Sequence, residues 1–143
     1  MMLKMSVFFG CSIRNKVILT KFVKMSFQKQ TVLKSFQVAF KGIFHMLRFE
    51  RNFQIQIFAL IINLFLIVIF KLQTQHAAII ILVCFSVLSA EIFNTAIERI
   101  CDYIQPQYDK KIGFIKDLGA AAVTILSIAA VIIGFLIYLP YVL

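Results

Sequence analysis

The sequence predicts an all-α integral membrane protein, with an N-terminal amphipathic surface helix followed by three transmembrane helices. Three observations support this fold class. The 143-residue chain is 62% hydrophobic, well above the usual apolar share of a soluble domain. Its mean hydropathy is +0.94. Three apolar runs are each long enough for a helix that crosses a bilayer, which takes about 20 residues.

The length suits one small membrane domain at residues 31–143, preceded by a basic extension at residues 1–30. The apolar core of this extension, at residues 7–13, is short for a signal peptide, and no cleavage site of the A-x-A kind follows it. Met25 begins a stretch that would form a surface helix and three spans by itself. We therefore expect the leading segment to be dispensable, or translation to start at Met25.

The surface helix is predicted at residues 32–49, where Lys34, Lys41 and Arg48 alternate with aliphatic and aromatic residues. This pattern is typical of a helix that lies among lipid headgroups. The net charge is +9, but the basic residues are interrupted by apolar ones and lead into apolar runs. Anionic lipid headgroups are therefore the expected partner, and nucleic acid is not.

The three spans are predicted at residues 53–70, 77–100 and 118–139. Residues 71–76 form a short polar connection between the first two. Residues 102–117 form a second connection, in which Pro106 prevents one continuous helix, and the third span is expected to end before Pro140. Lysine and arginine are concentrated before the first span and in the second connection, so both are predicted to be cytoplasmic.

The cysteines give no sign of a metal site or a disulfide framework. There are three, Cys11, Cys84 and Cys101, at spacings that match no metal motif. We expect them to be reduced and to pack among apolar side chains.

Glu91, Asn94 and Glu98 lie on one face of the second span, because offsets of three and seven residues fall within roughly 60° on a helix. Thr95 and Asp102 extend this acidic stripe. A carboxylate in hydrocarbon costs at least about 2.5 kcal/mol, which marks it as a functional candidate. Glu91 and Glu98 are about 10 Å apart along the axis, too far to hold one ion. The simplest division makes Glu98 a cation ligand and Glu91 a deeper general base.

Two further features favour phosphoryl transfer to a lipid hydroxyl. Glu50, the only acid before Glu91, provides a second carboxylate for magnesium, which usually accepts one or two and completes its shell with water and phosphates. Lys116 is predicted beside a helix start, where free backbone N–H groups favour anions, and Gly119 would let a ligand or helix come close. Such chemistry depends mainly on positioning and charge neutralisation.

Three blocks carry a resemblance to a known family: Glu50-Arg-Asn-Phe53, Glu91-Ile-Phe-Asn-Thr-Ala-Ile-Glu98 and Lys116-Asp117-x-x-Ala-Ala-Ala-Val123. They resemble the signature of the prokaryotic diacylglycerol kinase family, which includes undecaprenol kinases, and the likeness covers residues 32–143. It implies an ATP- and Mg²⁺-dependent lipid kinase of the bacterial plasma membrane, built as a homotrimer with active sites shared between neighbours. The acceptor it implies is diacylglycerol or undecaprenol.

The resemblance also implies roles for single residues. Glu91 matches the family's catalytic base, and Glu50 and Glu98 match its metal ligands. The positions that match the nucleotide and phosphate site are Asn94, Asp102, Lys116 and Asp117. The segment Pro106-Gln-Tyr-Asp109 stands where the family often has Pro-Glu-Tyr-His in a loop that touches ATP, which adds Gln107, Tyr108 and Asp109. Phe53-Gln-Ile-Gln56 replaces a common Phe-Arg-Ile-His.

Most of these residues also have an ordinary structural interpretation. Glu91 could be a buried acid paired with Asn94 or with a partner helix, and Asn94 could simply hydrogen-bond between helices. Glu98 could reach the membrane interface beside Arg99.

Glu50 could pair with Arg51, and Asp117 could be the N-cap of the third span. As a whole, the chain could be a non-enzymatic oligomer that conducts protons or ions through Glu91. A proton path has no particular need for Glu50 or for the adjacent lysine and aspartate of the third span, whereas nucleotide and magnesium chemistry uses both.

Overall fold

A computed structural model describes residues 32–143, and the predicted extension at residues 1–30 lies outside the described residues. Four helices follow in order: α1 (Val32–Phe49), α2 (Arg51–Ile69), α3 (Thr74–Ile104) and α4 (Lys110–Val142). No strand occurs in this part of the chain. By length and composition, α2, α3 and α4 can each cross a membrane. The all-α class with three spanning helices is therefore confirmed, while the domain division stays a prediction.

The helix ends differ from the predicted ones mainly in α3 and α4. The surface helix has its predicted bounds, and α2 begins two residues early. α3 starts at Thr74 and continues to Ile104, so the second connection is much shorter than predicted. α4 already begins at Lys110, because the Asp109 carboxylate accepts hydrogen bonds from the backbone N–H groups of residues 111 and 112, at 2.7 and 3.2 Å.

α4 also continues through Pro140 to Val142, so the predicted end before this proline is wrong. Proline lacks the N–H group that an interior helical residue donates. At Pro140 the loss is confined to the last turn of the helix, where Leu143 still donates its backbone N–H to Leu139 at 3.2 Å.

Large apolar side chains on the spanning helices are mostly exposed. Phe65 on α2 is 65% exposed and Val131 on α4 is 72% exposed. A soluble monomer rarely presents apolar surface on this scale. In a bilayer the same side chains meet acyl chains, so the exposure agrees with membrane insertion.

α3 packs against both other spans, along α4 more extensively than along α2. At the end where α3 begins, the Tyr141 hydroxyl lies 3.0 Å from His76 Nδ1 and accepts the Gln73 backbone N–H at 3.3 Å. The Tyr138 hydroxyl donates to Asn63 Oδ1 at 3.1 Å. These bonds join the end of α4 to α2 and α3, far from the acidic stripe. Cys84 and Cys101 are free thiols, and Cys11 lies outside the described residues.

A small apolar cluster joins the end of α1 to α2 and α3. Its buried members are Met46, Phe53 and Leu88, with Ile57 and Leu60 packed against them. Phe53 is 2% exposed. The cluster fixes the start of α2 against the middle of α3. Glu50 lies just before this start, and Gln56 lies within its second turn.

We expect Phe53→Ala to destabilise the protein by about 3 kcal/mol, because a buried ring leaves a cavity that its neighbours fill only in part. The matched control is Phe58→Ala on the same helix, where the ring is 64% exposed and little packing is lost. Thermal unfolding of both variants in the same detergent is the measurement. Equal melting temperatures would contradict the cluster as the anchor of α2.

Candidate active site

The first part of the acidic stripe of α3 is buried. Glu91 is 4% exposed, Asn94 is 7% and Thr95 is 9%, whereas Glu98 is half-buried and Asp102 is exposed. The helical spacing therefore predicted the shared interior face for Glu91, Asn94 and Thr95, and the stripe reaches solvent at Asp102. Burial of these polar groups is costly unless each finds a hydrogen-bond partner, so their partners define the site.

Glu91 has its partner on α2. Gln56 Nε2 donates a hydrogen bond to Glu91 Oε2 at 3.3 Å, and the alternative pairing of Glu91 with Asn94 is wrong. In the sequence, Gln56 was identified only as a departure from a family pattern. Its position three residues after Phe53 could have indicated that its side chain faces the interior, because that spacing puts both side chains on one helix face.

Asn94 is held within its own helix. Its Nδ2 donates to Glu98 Oε1 at 3.0 Å, so the alternative of a hydrogen bond between helices is wrong. Its Oδ1 is buried without a hydrogen-bond partner in the described part of the chain. A Cβ at Gly119 would lie 2.5 Å from this oxygen. Gly119 therefore permits the close approach of α4 that its sequence context predicted.

Two ion pairs tie the other helices to the end of α3. Arg99 and Glu50 are 2.6 Å apart, and Lys116 and Asp102 are 2.8 Å apart. The alternative pairing of Glu50 with Arg51 is therefore wrong. Both pairs are partly exposed, and exposed ion pairs contribute little to stability because water screens them. Their partners can exchange at little cost when a charged ligand arrives. Arg99 was not among the predicted site residues.

Lys116 and Asp117 do not lie at a helix start. They are the seventh and eighth residues of α4, which begins at Lys110 and has Asp109 as its N-cap. Their backbone N–H groups are therefore within the helix. The prediction that free N–H groups beside Lys116 form an anion site is therefore wrong. The alternative that Asp117 is the N-cap of this helix is also wrong. Asp117 is exposed, and the Lys116 side chain points to Asp102.

The predicted ATP loop connects α3 to α4. Gln107 is exposed and Tyr108 is 91% exposed. Neither side chain makes a hydrogen bond within residues 32–143, whereas the Asp109 carboxylate is engaged as the cap of α4. The loop adjoins the acidic end of α3, and its predicted role in nucleotide binding stays a prediction.

The oxygen donors at this end suit a hard divalent cation. Within the described residues no three His, Cys, Asp or Glu side chains converge as a metal cluster. Magnesium, however, commonly takes one or two carboxylates and completes its shell with water and phosphates. Glu98 offers a half-buried carboxylate, and Glu50 reaches Arg99, the residue that follows Glu98. Carboxylate oxygens are donors of the type that Mg²⁺ takes, and Glu50 and Glu98 are the residues that would hold it.

Four contacts therefore join residues in or next to the three predicted blocks along the second half of α3. Their pairs are Gln56–Glu91, Glu50–Arg99, Asp102–Lys116 and Asn94–Gly119. The arrangement combines a buried carboxylate, further acids and cations that can exchange partners. It can hold a polyphosphate near the membrane surface and place a base below it.

Comparison with known proteins agrees with this chemistry. Residues 37–138 match the family described as prokaryotic diacylglycerol kinase. The chain is 36% identical over 107 residues to the undecaprenol kinase of Bacillus subtilis (strain 168), covering 75% of this chain and 87% of that protein. It is 32% identical over 110 residues to the diacylglycerol kinase of Synechocystis sp. (strain ATCC 27184 / PCC 6803 / Kazusa), covering 76% and 63%.

These matches confirm an enzyme rather than a non-enzymatic membrane oligomer, since both relatives are named as kinases. The three membrane-length helices confirm a membrane protein. This chain is a lipid kinase that belongs to the prokaryotic diacylglycerol kinase family.

Proposed function

We propose that the enzyme transfers the γ-phosphoryl group of ATP to the primary hydroxyl of a membrane lipid alcohol, with Mg²⁺ required. The observation that carries this proposal is that residues in or next to all three sequence blocks contact α3 between Glu91 and Asp102. Undecaprenol is the favoured acceptor and diacylglycerol the other, because relatives acting on each are matched and the likeness covers more of the undecaprenol kinase.

Glu91 acts as the general base. As the lipid oxygen attacks the γ-phosphorus, its O–H bond breaks and the proton passes to the Glu91 carboxylate. A new P–O bond forms while the bond to the β–γ bridging oxygen breaks, and ADP leaves with that electron pair. The products are a lipid phosphate, ADP and a protonated Glu91.

The remaining residues bind and neutralise the triphosphate. Glu50 and Glu98 would hold Mg²⁺, which when bound neutralises phosphate charge. Lys116 exchanges Asp102 for phosphate oxygens. The other proposed nucleotide contacts are Asn94, Asp102, Gln107, Tyr108, Asp109 and Asp117. The exposure of the loop residues supports their access to a soluble nucleotide.

The active site is proposed to face the cytoplasm of a bacterial plasma membrane. The basic residues before α2 and the lysines in the first turns of α4, Lys110, Lys111 and Lys116, support this orientation, and ATP is available on that side. Anionic headgroups would bind the basic surface helix. Following the family resemblance, we propose a homotrimer with shared sites. The product would return to phospholipid synthesis or to the cell-wall lipid carrier pool.

The direct test uses the purified enzyme in detergent micelles with radiolabelled ATP and MgCl₂. Undecaprenol and diacylglycerol are offered in separate reactions, and labelled lipid phosphate is measured. We expect product from at least one acceptor, and none when MgCl₂ is replaced by a chelator. Absence of lipid phosphate with both acceptors would overturn the proposed reaction.

Two carboxylate-to-amide variants separate the roles of the acids. Glu91→Gln is expected to lower kcat at least about a hundredfold, as for loss of a general base, while ATP binding persists. Glu98→Gln should instead raise the Mg²⁺ concentration needed for half-maximal rate, since one metal ligand is weakened. Magnesium titrations and equilibrium ATP binding on both variants are the measurements. Interchanged phenotypes would show that the roles are assigned wrongly.

We also expect Gly119→Ala to act through Asn94. The new methyl group would overlap Asn94 Oδ1, whereas the Asn94 Cα is 3.9 Å away and need not move. The amide must rotate, and its bond to Glu98 is lost. We therefore expect kcat for lipid phosphorylation to be about tenfold lower, because a small displacement of a positioned group slows the reaction. The melting temperature should be nearly unchanged.

Gly134→Ala is the matched control, because its added Cβ meets nothing within 4 Å on the same helix. In an Asn94→Ala background, Gly119→Ala should cause no further loss, since residues that act as one unit are not additive. Full additivity of the two rate losses would mean that Gly119 acts elsewhere.

A further inference from the structure

In residues 32–143, the buried Glu91 carboxylate makes one hydrogen bond, which it accepts from Gln56 at 3.3 Å. The bond uses Oε2, and Oε1 has no partner among these residues. With Glu91 only 4% exposed, bulk water has little access to orient this carboxylate instead.

The chemistry of the amide suits the requirements of a base. Lysine or arginine at this position would form an ion pair with the carboxylate and compete with the proton that a base must accept. A neutral amide donates one hydrogen bond and adds no net charge. It can therefore fix the direction of the carboxylate while leaving it able to take a proton.

The surroundings of Gln56 leave Glu91 as its hydrogen-bond partner. Gln56 is half-buried on α2, three residues after the anchored Phe53. Its Oε1 is buried and has no hydrogen-bond partner among the described residues. Gln56 also lines a cavity of about 440 Å³ between α2, α3 and α4. Although this cavity offers room for other rotamers, the one hydrogen bond of the side chain within residues 32–143 is directed at Glu91.

We propose that Gln56 is a positioning residue for the transfer reaction, whose amide holds Glu91 so that Oε1 receives the lipid hydroxyl proton. This inference rests on the proposed role of Glu91 as the base. It adds no chemical step, since the bonds that form and break are those of the transfer itself. A misdirected base lowers the rate of proton removal without changing how ATP binds.

The test compares Gln56→Leu, Gln56→Asn and Gln56→His in the micelle assay. Leucine has a similar size but no donor, and asparagine keeps the amide but is one methylene shorter. Both should lower kcat by about ten- to a hundredfold, the usual cost of a displaced reacting group, with the KM for ATP within about twofold. Histidine restores an N–H donor and should recover most of the rate.

Gln54→Leu is the matched control, because Gln54 is an exposed neighbour on the same helix whose side chain donates to the Leu47 carbonyl oxygen instead. We expect its kcat to stay within about twofold of the unmodified enzyme. A structural role for Gln56 would instead lower the melting temperature in step with the rate, and histidine would give no selective recovery.

A second measurement does not depend on activity. The infrared carboxylate band that disappears in Glu91→Gln should shift in Gln56→Leu, because the band responds to the hydrogen bond that the carboxylate accepts. An unshifted band, or an unchanged kcat in Gln56→Leu while the unmodified enzyme phosphorylates lipid, would overturn this inference alone. Lack of lipid phosphorylation by the unmodified enzyme would instead overturn the proposed function.

Discussion

Burial of the Glu91 carboxylate at membrane depth is the constraint on which the rest of the structure depends. Burial of a polar or charged group is costly unless the group has hydrogen-bond partners. Here the partner is Gln56 on α2, whose Nε2 lies 3.3 Å from Glu91 Oε2. The apolar cluster around Phe53 holds that helix in register. Packing at the start of α2 and chemistry in the middle of α3 are thus parts of one arrangement.

Near Glu91, the charged side chains Glu98, Arg99 and Asp102 of α3 each have a partner within the chain. Arg99 neutralises Glu50, Lys116 neutralises Asp102, and Asn94 satisfies Glu98. A membrane enzyme that must persist without its nucleotide benefits from such internal pairing. In the proposed reaction, the cations turn to phosphate and the acids to metal when the nucleotide arrives with its cation. The exchange replaces weak, partly exposed pairs with charge-assisted contacts to the ligand.

The sequence predicted the fold class, the order of the helices and the buried face of α3, because helical periodicity and membrane-length apolar runs are local signals. It misjudged the start of α4, since the capping role of Asp109 depends on loop geometry that a polar stretch does not reveal. It also missed Gln56 and Arg99 as partners. Their contacts join residues 35 and 49 positions apart, and no local pattern encodes which distant side chain meets a buried acid.

The length of α3 has a consequence for the setting in which the enzyme works. Its 31 residues extend about 46 Å at 1.5 Å per residue, whereas the hydrocarbon layer measures about 30 Å. The helix is therefore about 16 Å longer than the hydrocarbon layer is thick, and tilt or projection from the membrane takes up the difference. A thicker host membrane would draw the charges of the Asp102 end toward hydrocarbon, and a thinner one would lift them into water. Acyl-chain length in the surrounding phospholipid would thereby act on the depth of the Asp102–Lys116 pair, separately from the identity of the acceptor.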